Sequence, residues 1–235
     1  MMRKLQIGAA ASVLAACGAP DAAEAPSSTA PQAETAAPVL AAPQAERTKP
    51  VVVMLGDSLT AGFGLPVEQA LPEQVARELS AAGINAEIVN AGVSGDTTAN
   101  ALARYDWSVA SAAPDLLVIA LGANDYLSNV SPDVARANLE AILSRARTDG
   151  VAVALAGLQP RSDAPAGSRD AAYADIYPAL AAAYDVPLYP ALLAGVRDNP
   201  DLLQRDGLHP TAEGVGVMAA GLAAFITPLM PPADD

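Results

Sequence analysis

Five short apolar runs recur along this chain, each separated from the next by a longer stretch of helical period. The runs are Val51–Leu55, Ala86–Val89, Leu116–Leu121, Val151–Leu155 and Val186–Tyr189. Most are unbroken by polar residues, which is the pattern of parallel strands covered by helices on both faces. The last run contains Pro187, which withholds a ladder donor and marks it as an edge strand. Between the runs, the spacing predicts helices near 68–82, 97–110, 133–148, 169–184 and 211–226. Leu71, Val75 and Leu79 stripe the first of these, and Leu139, Ile142 and Leu143 stripe the third. Gly83 and Gly150 stop the same two helices. Strand–helix alternation of this kind predicts an α/β fold, a three-layer α/β/α sandwich with about five parallel strands.

Composition divides the chain around that domain. Residues 1–16 read as a signal peptide: Arg3 and Lys4 precede an apolar run, Leu5 to Ala16, well short of the roughly 18 residues that cross a bilayer. The run ends in Leu14-Ala15-Ala16-Cys17-Gly18, which resembles the lipobox of bacterial lipoproteins. That resemblance implies cleavage before Cys17 and lipidation of its thiol, several acyl chains on one residue being a stable anchor. The alternative is an ordinary small-residue cleavage site with an incidental cysteine. Residues 17–49, rich in Ala, Pro, Ser, Thr, Gln and Glu, have too little apolar bulk to fold and read as a flexible tether. Residues 50–228 are long enough for one sizeable core, and 229–235 form a short tail.

Cys17 is the one cysteine and His209 the one histidine, which leaves no disulfide and makes a structural zinc site implausible. The formal charge is −13, and loss of Arg3 and Lys4 deepens it by two, which argues against nucleic acid as a partner.

Ligands of parallel sheets bind beyond the carboxyl ends of the strands. Three small, polar segments follow the first three runs there: Gly56-Asp57-Ser58-Leu59, Asn90 to Gly95, and Gly122-Ala123-Asn124-Asp125. His209 lies three residues after an acid in Asp206-Gly207-Leu208-His209. A carboxylate at that spacing holds one ring nitrogen's proton and leaves the other nitrogen free to take a proton from a nucleophile. Ser58 is such a nucleophile, Gly92 offers an unshielded N–H, and Asn124 offers an amide donor. Taken singly, each has a plainer reading. Ser58, Asn124 and Gly92 suit turns, Asp57 suits a cap, and Asp206 with His209 suits a surface pair near a helix start.

Together, Gly56-Asp57-Ser58-Leu59, Gly92, Gly122-x-Asn124-Asp125 and Asp206-x-x-His209 resemble the four sequence blocks of the SGNH (GDSL) hydrolases. The resemblance covers essentially all of 50–228. Asn90 to Thr98, Ile176-Tyr177-Pro178 and Val186 to Pro190 are similar to the thioesterase/protease/lysophospholipase branch, which includes bacterial arylesterases. It implies a flavodoxin-like sandwich in which Ser58 is the nucleophile, His209 the base and then acid, and Asp206 the residue orienting His209. The implied oxyanion hole is the N–H of Ser58, the N–H of Gly92 and the amide of Asn124, with an acyl-enzyme on Ser58 and neither metal nor cofactor. Departures from the branch fall at Tyr126 to Asn129, Gln159 to Gly167 and Ala191-Leu192, which should line the acyl or leaving-group side. The expected protein is a monomeric ester hydrolase, exported to the periplasm or cell envelope and held at a membrane through Cys17. A polysaccharide O-deacetylase of the same superfamily and a non-catalytic binding module are the competing readings.

Overall fold

The computed structural model describes residues 48–158 and 165–230. The signal segment, Cys17, nearly all of the tether, most of the loop expected at 159–167 and the last five residues lie outside the described residues.

Five parallel strands form one sheet: β1 (Val51–Gly56), β2 (Glu87–Gly92), β3 (Leu116–Ala120), β4 (Ala152–Ala156) and β5 (Leu188–Tyr189), in the order β2-β1-β3-β4-β5. β1 and β3 are buried along their whole length, as their unbroken apolar sequences require. β2 and β5 are the edges. β2 accordingly exposes Glu87 and Asn90, and Pro187 stands just before β5.

Side chains alternate across the strands and feed two separate cores. Val53, Leu55, Leu117, Ile119 and Leu155 point to one face, where they meet α3 (Thr98–Ala103), α4 (Tyr105–Ser108), α6 (Pro132–Thr148) and α7 (Arg169–Tyr184). Val52, Met54, Val118 and Ala154 point to the other, where they meet α1 (Ser58–Ala61), α2 (Leu71–Ala81) and α8 (Ala212–Ile226). α5 (Ala123–Leu127) is a single turn after β3. The window Ala212–Leu229 is apolar and long enough to cross a membrane, but α8 buries Val215, Met218, Leu222 and Ile226 in the second core.

Two of the five expected helices are interrupted. The first is a 3-10 turn, Val67–Gln69, followed by α2, because Ala70 is extended where it caps α2 ahead of Pro72. The second breaks at Arg104, whose backbone (φ −100°, ψ 8°) leaves the helical region while its side chain reaches back to the carbonyl groups of Gly56 and Ala91.

Candidate active site

Ser58 is the first residue of α1. Asp57 caps this one-turn helix, its Oδ1 accepting the N–H of Leu59 at 3.0 Å. The turn closes when the N–H groups of Gly62 and Phe63 return to the Ser58 carbonyl. Among the described residues, the N–H of Ser58 itself has no partner.

His209 approaches from the loop before α8. Its Nε2 lies 2.9 Å from Ser58 Oγ, and its Nδ1 lies 2.7 Å from Asp206 Oδ2. The second carboxylate oxygen, Oδ1, accepts the N–H groups of Leu208 (2.9 Å) and His209 (3.0 Å). Those backbone and side-chain hydrogen bonds from His209, with the N–H of Leu208, pull the Asp206 carboxyl down to about 2. Asp206 therefore stays ionised and accepts the Nδ1 proton, which leaves Nε2 to accept the Ser58 hydroxyl proton.

The loop has its own scaffold. Leu203 bridges Pro210 in antiparallel fashion, and the Gln204 N–H donates to the His209 carbonyl at 2.7 Å. The Gln204 side-chain amide donates to the carbonyl groups of Pro210 (2.9 Å) and Phe63 (2.8 Å), joining this loop to the segment that follows Ser58. The Phe63 ring lies 4.3 Å from the His209 ring, tilted by 32°. Gln204 and Phe63 were missed in the sequence, where 141 residues separate them and neither carries a motif.

Asn124, the second residue of α5, donates one amide hydrogen to the Asp96 carbonyl at 2.9 Å. An amide carries two donors, so one remains for a ligand. Gly92 departs from expectation. Its N–H is already engaged by Asn90 Oδ1 at 3.0 Å, and a Cβ there would collide with the backbone of Thr60 and Ala61. Gly92 is the residue that lets α1 lie close against the end of β2. Gly95, three residues on, is exposed and adopts φ +90°, and a Cβ there would meet nothing within 4 Å. Its N–H has no partner among the described residues. Gly95 also adjoins Asp96, whose carbonyl holds the Asn124 amide.

Ser58, Asn124 and His209 open onto one cavity of about 600 Å³, walled mainly by apolar groups such as Leu158, Tyr173 and Leu193. Tyr126, Leu127 and Ala191, from two segments singled out in the sequence, also line it, whereas Leu192 is buried in the core. Tyr126 is held firmly. Its hydroxyl donates to Asp170 Oδ1 at 2.8 Å, and the Arg169 guanidinium lies over its ring at 4.6 Å. Among the described residues, no group of three or more His, Cys, Asp or Glu side chains is arranged so that it could hold a metal ion.

A hydroxyl, an imidazole and an ionised carboxylate in line, beside unpartnered donors at a sheet edge, have the arrangement of a serine hydrolase. Residues 54–217 match the GDSL-like Lipase/Acylhydrolase family. Among curated relatives, an arylesterase of Vibrio mimicus is 38% identical over 164 residues, covering 69% of this chain and 80% of that protein. The thioesterase 1/protease 1/lysophospholipase L1 of Escherichia coli K12 is 32% identical over 180 residues, covering 76% and 84%. Among solved structures, TesA superposes with a TM-score of 0.70 at 32% identity, covering 76% of this chain and 99% of TesA. AlinE4, an SGNH-hydrolase family esterase, gives 0.64 at 38% identity, covering 78% and 98%. The chain belongs to the GDSL-like lipase/acylhydrolase (SGNH) family. It is a serine esterase, a carboxylic ester hydrolase.

Asp57 gives the site a pH signature. Burial is the main cause that pushes its carboxyl up to about 6 from an ordinary 3.8, and Oδ2 is buried without a partner. The folded state keeps a proton that the unfolded chain releases between those values, so stability falls as pH rises through that window. Wild type should therefore lose on the order of 2–3 kcal/mol relative to Asp57→Asn between pH 4 and pH 7.5, since a tenfold change in proton affinity is worth about 1.4 kcal/mol. Urea denaturation of both proteins at the two pH values measures this. Parallel profiles would refute it.

Proposed function

We propose that the protein hydrolyses aryl and short-chain acyl esters through an acyl-enzyme on Ser58, with lysophospholipid and thioester cleavage within its range. The observation that carries this reading is the unbroken chain Asp206 Oδ2–His209 Nδ1 (2.7 Å) and His209 Nε2–Ser58 Oγ (2.9 Å) at the mouth of the cavity. His209 takes the hydroxyl proton as Ser58 Oγ attacks the ester carbonyl. The tetrahedral oxyanion is held by the N–H of Ser58, the remaining Asn124 amide hydrogen and, in place of Gly92, the N–H of Gly95. Collapse expels the alcohol or phenol, protonated by His209. Water then attacks the acyl-enzyme with His209 again the base, and Ser58 is regenerated.

The arylesterase and lysophospholipase names of the relatives support this substrate class. The walls contributed by Leu158, Leu193 and Tyr173 favour alkyl and aryl groups over a sugar surface. All three members of the triad come from one chain, so one subunit carries a complete catalytic set, and a monomer is the proposed working unit. Cys17 in its lipobox-like setting supports an exported protein, anchored in the cell envelope by lipid on that residue.

Ser58→Ala should remove nearly all activity on p-nitrophenyl esters of graded chain length and on lysophosphatidylcholine, with acetylated xylan as the comparison substrate. Asn124→Ala should lower kcat by about 10²–10³-fold, the usual cost of one oxyanion donor. Equal turnover by wild type and Ser58→Ala would overturn the mechanism, and a change confined to KM would reassign Asn124 to substrate binding. For the anchor, membrane fractionation of Cys17→Ser should move the protein to the soluble fraction. An unchanged distribution would refute lipidation.

A further inference from the structure

Arg104 touches neither the cavity nor the triad, yet its guanidinium gathers the segments that carry the oxyanion donors. Nη2 donates to the Gly56 carbonyl at 3.1 Å and to the Ala91 carbonyl at 2.8 Å. Gly56 ends β1 and Ala91 is the penultimate residue of β2, so one terminal nitrogen ties the carboxyl ends of two neighbouring strands. Nε donates to Asp96 Oδ2 at 2.6 Å, and Nη1 donates to Ser108 Oγ at 2.9 Å. The backbone of Asp96 holds the Asn124 amide at 2.9 Å and, through its own N–H, closes the turn onto the Val93 carbonyl at 3.1 Å. Val93 in turn donates to the Gly56 carbonyl at 3.1 Å.

We infer that Arg104 is a positioning residue for the oxyanion hole. It sets the spacing of the Ser58 N–H, the Gly95 N–H and the Asn124 amide through the Gly56 and Ala91 carbonyl groups and Asp96. This rests on the oxyanion roles proposed above.

Each donor is a short step from the guanidinium. Ser58 follows Gly56 by two residues, Gly95 precedes Asp96 by one, and Asn124 hydrogen-bonds the Asp96 carbonyl. Only a rigid, planar fork reaches four acceptors on three segments at once. A lysine ammonium, with three donors at a single point, does not reproduce that geometry. The Arg104 and Asp96 side chains are 16% and 12% exposed, so the ion pair is largely shielded from solvent and its charge-assisted hydrogen bond is correspondingly strong. The break in the helix at Arg104 is the backbone counterpart: leaving helical geometry there lets the side chain turn under the ends of β1 and β2.

The test uses Arg104→Lys, Asn124→Ala and the double variant, with p-nitrophenyl acetate as substrate and thermal unfolding followed in parallel. Misplacing a catalytic group by about an ångström costs up to about 100-fold in rate. Arg104→Lys should therefore lower kcat by about 10–100-fold and leave KM within about twofold, in a protein that still unfolds cooperatively. Asn124→Ala should cost clearly less in the Arg104→Lys background than in wild type, because the amide is already displaced. If Arg104→Lys does not fold, Asp96→Asn decides by the same criteria, since it removes the ion pair and keeps the backbone carbonyl. Either of two results overturns the inference: kcat within twofold of wild type, or losses that multiply independently with Asn124→Ala. Ser58→Ala runs alongside. Retained activity there would sink the serine mechanism itself, a failure distinct from that of Arg104.

Discussion

The active site depends on where the chain leaves the sheet. β1 has β2 on one side and β3 on the other, and the segments after these strands diverge to opposite faces. After β1 the chain enters the layer of α1, α2 and α8. After β2 and β3 it enters the layer of α3 to α7. This reversal opens a crevice at the carboxyl ends of the strands, the place where doubly wound sheets bind ligands. Ser58 and His209 reach the crevice from one layer, and Gly95 and Asn124 reach it from the other. Nucleophile and base therefore share a scaffold, tied by Gln204 to the Phe63 and Pro210 carbonyl groups. The other two oxyanion donors, Gly95 and Asn124, share another, tied by Asp96 and Arg104.

Two carboxylates near Ser58 are driven apart by their surroundings. Asp206 receives two backbone N–H groups and the imidazole, which hold it ionised far below neutral pH. Asp57 is buried, receives one N–H and has an oxygen without a partner, so burial raises it towards 6. Divergent environments of this sort assign different work to chemically equal groups. Asp206 orients the base and offsets the positive charge that forms on His209. Asp57 shapes the turn that presents Ser58.

Much of this was legible in the sequence. Unbroken apolar runs gave away the buried strands, Pro187 the edge, and the spacing of Asp206 to His209 a pair that the structure brings onto Ser58. The choice of oxyanion glycine was not legible. Gly92 and Gly95 lie in one short segment, and composition alone does not separate a glycine that admits a neighbouring helix from one that turns with φ +90°. The single helix expected over 97–110 failed for a related reason. Arg104 suits a helix by propensity, but tertiary acceptors on β1 and β2 draw its side chain inward and the backbone follows. Gln204 was invisible because its partner Phe63 lies 141 residues away.

The most direct test of the account is covalent capture of the nucleophile. An activated phosphonate ester should form one adduct, mapped by peptide mass spectrometry to Ser58, in proportion to the activity lost. With His209→Asn, Ser58 remains but its proton acceptor does not, and labelling should slow by about 10³-fold or more. An adduct on another residue, or labelling of His209→Asn at the wild-type rate, would contradict the account.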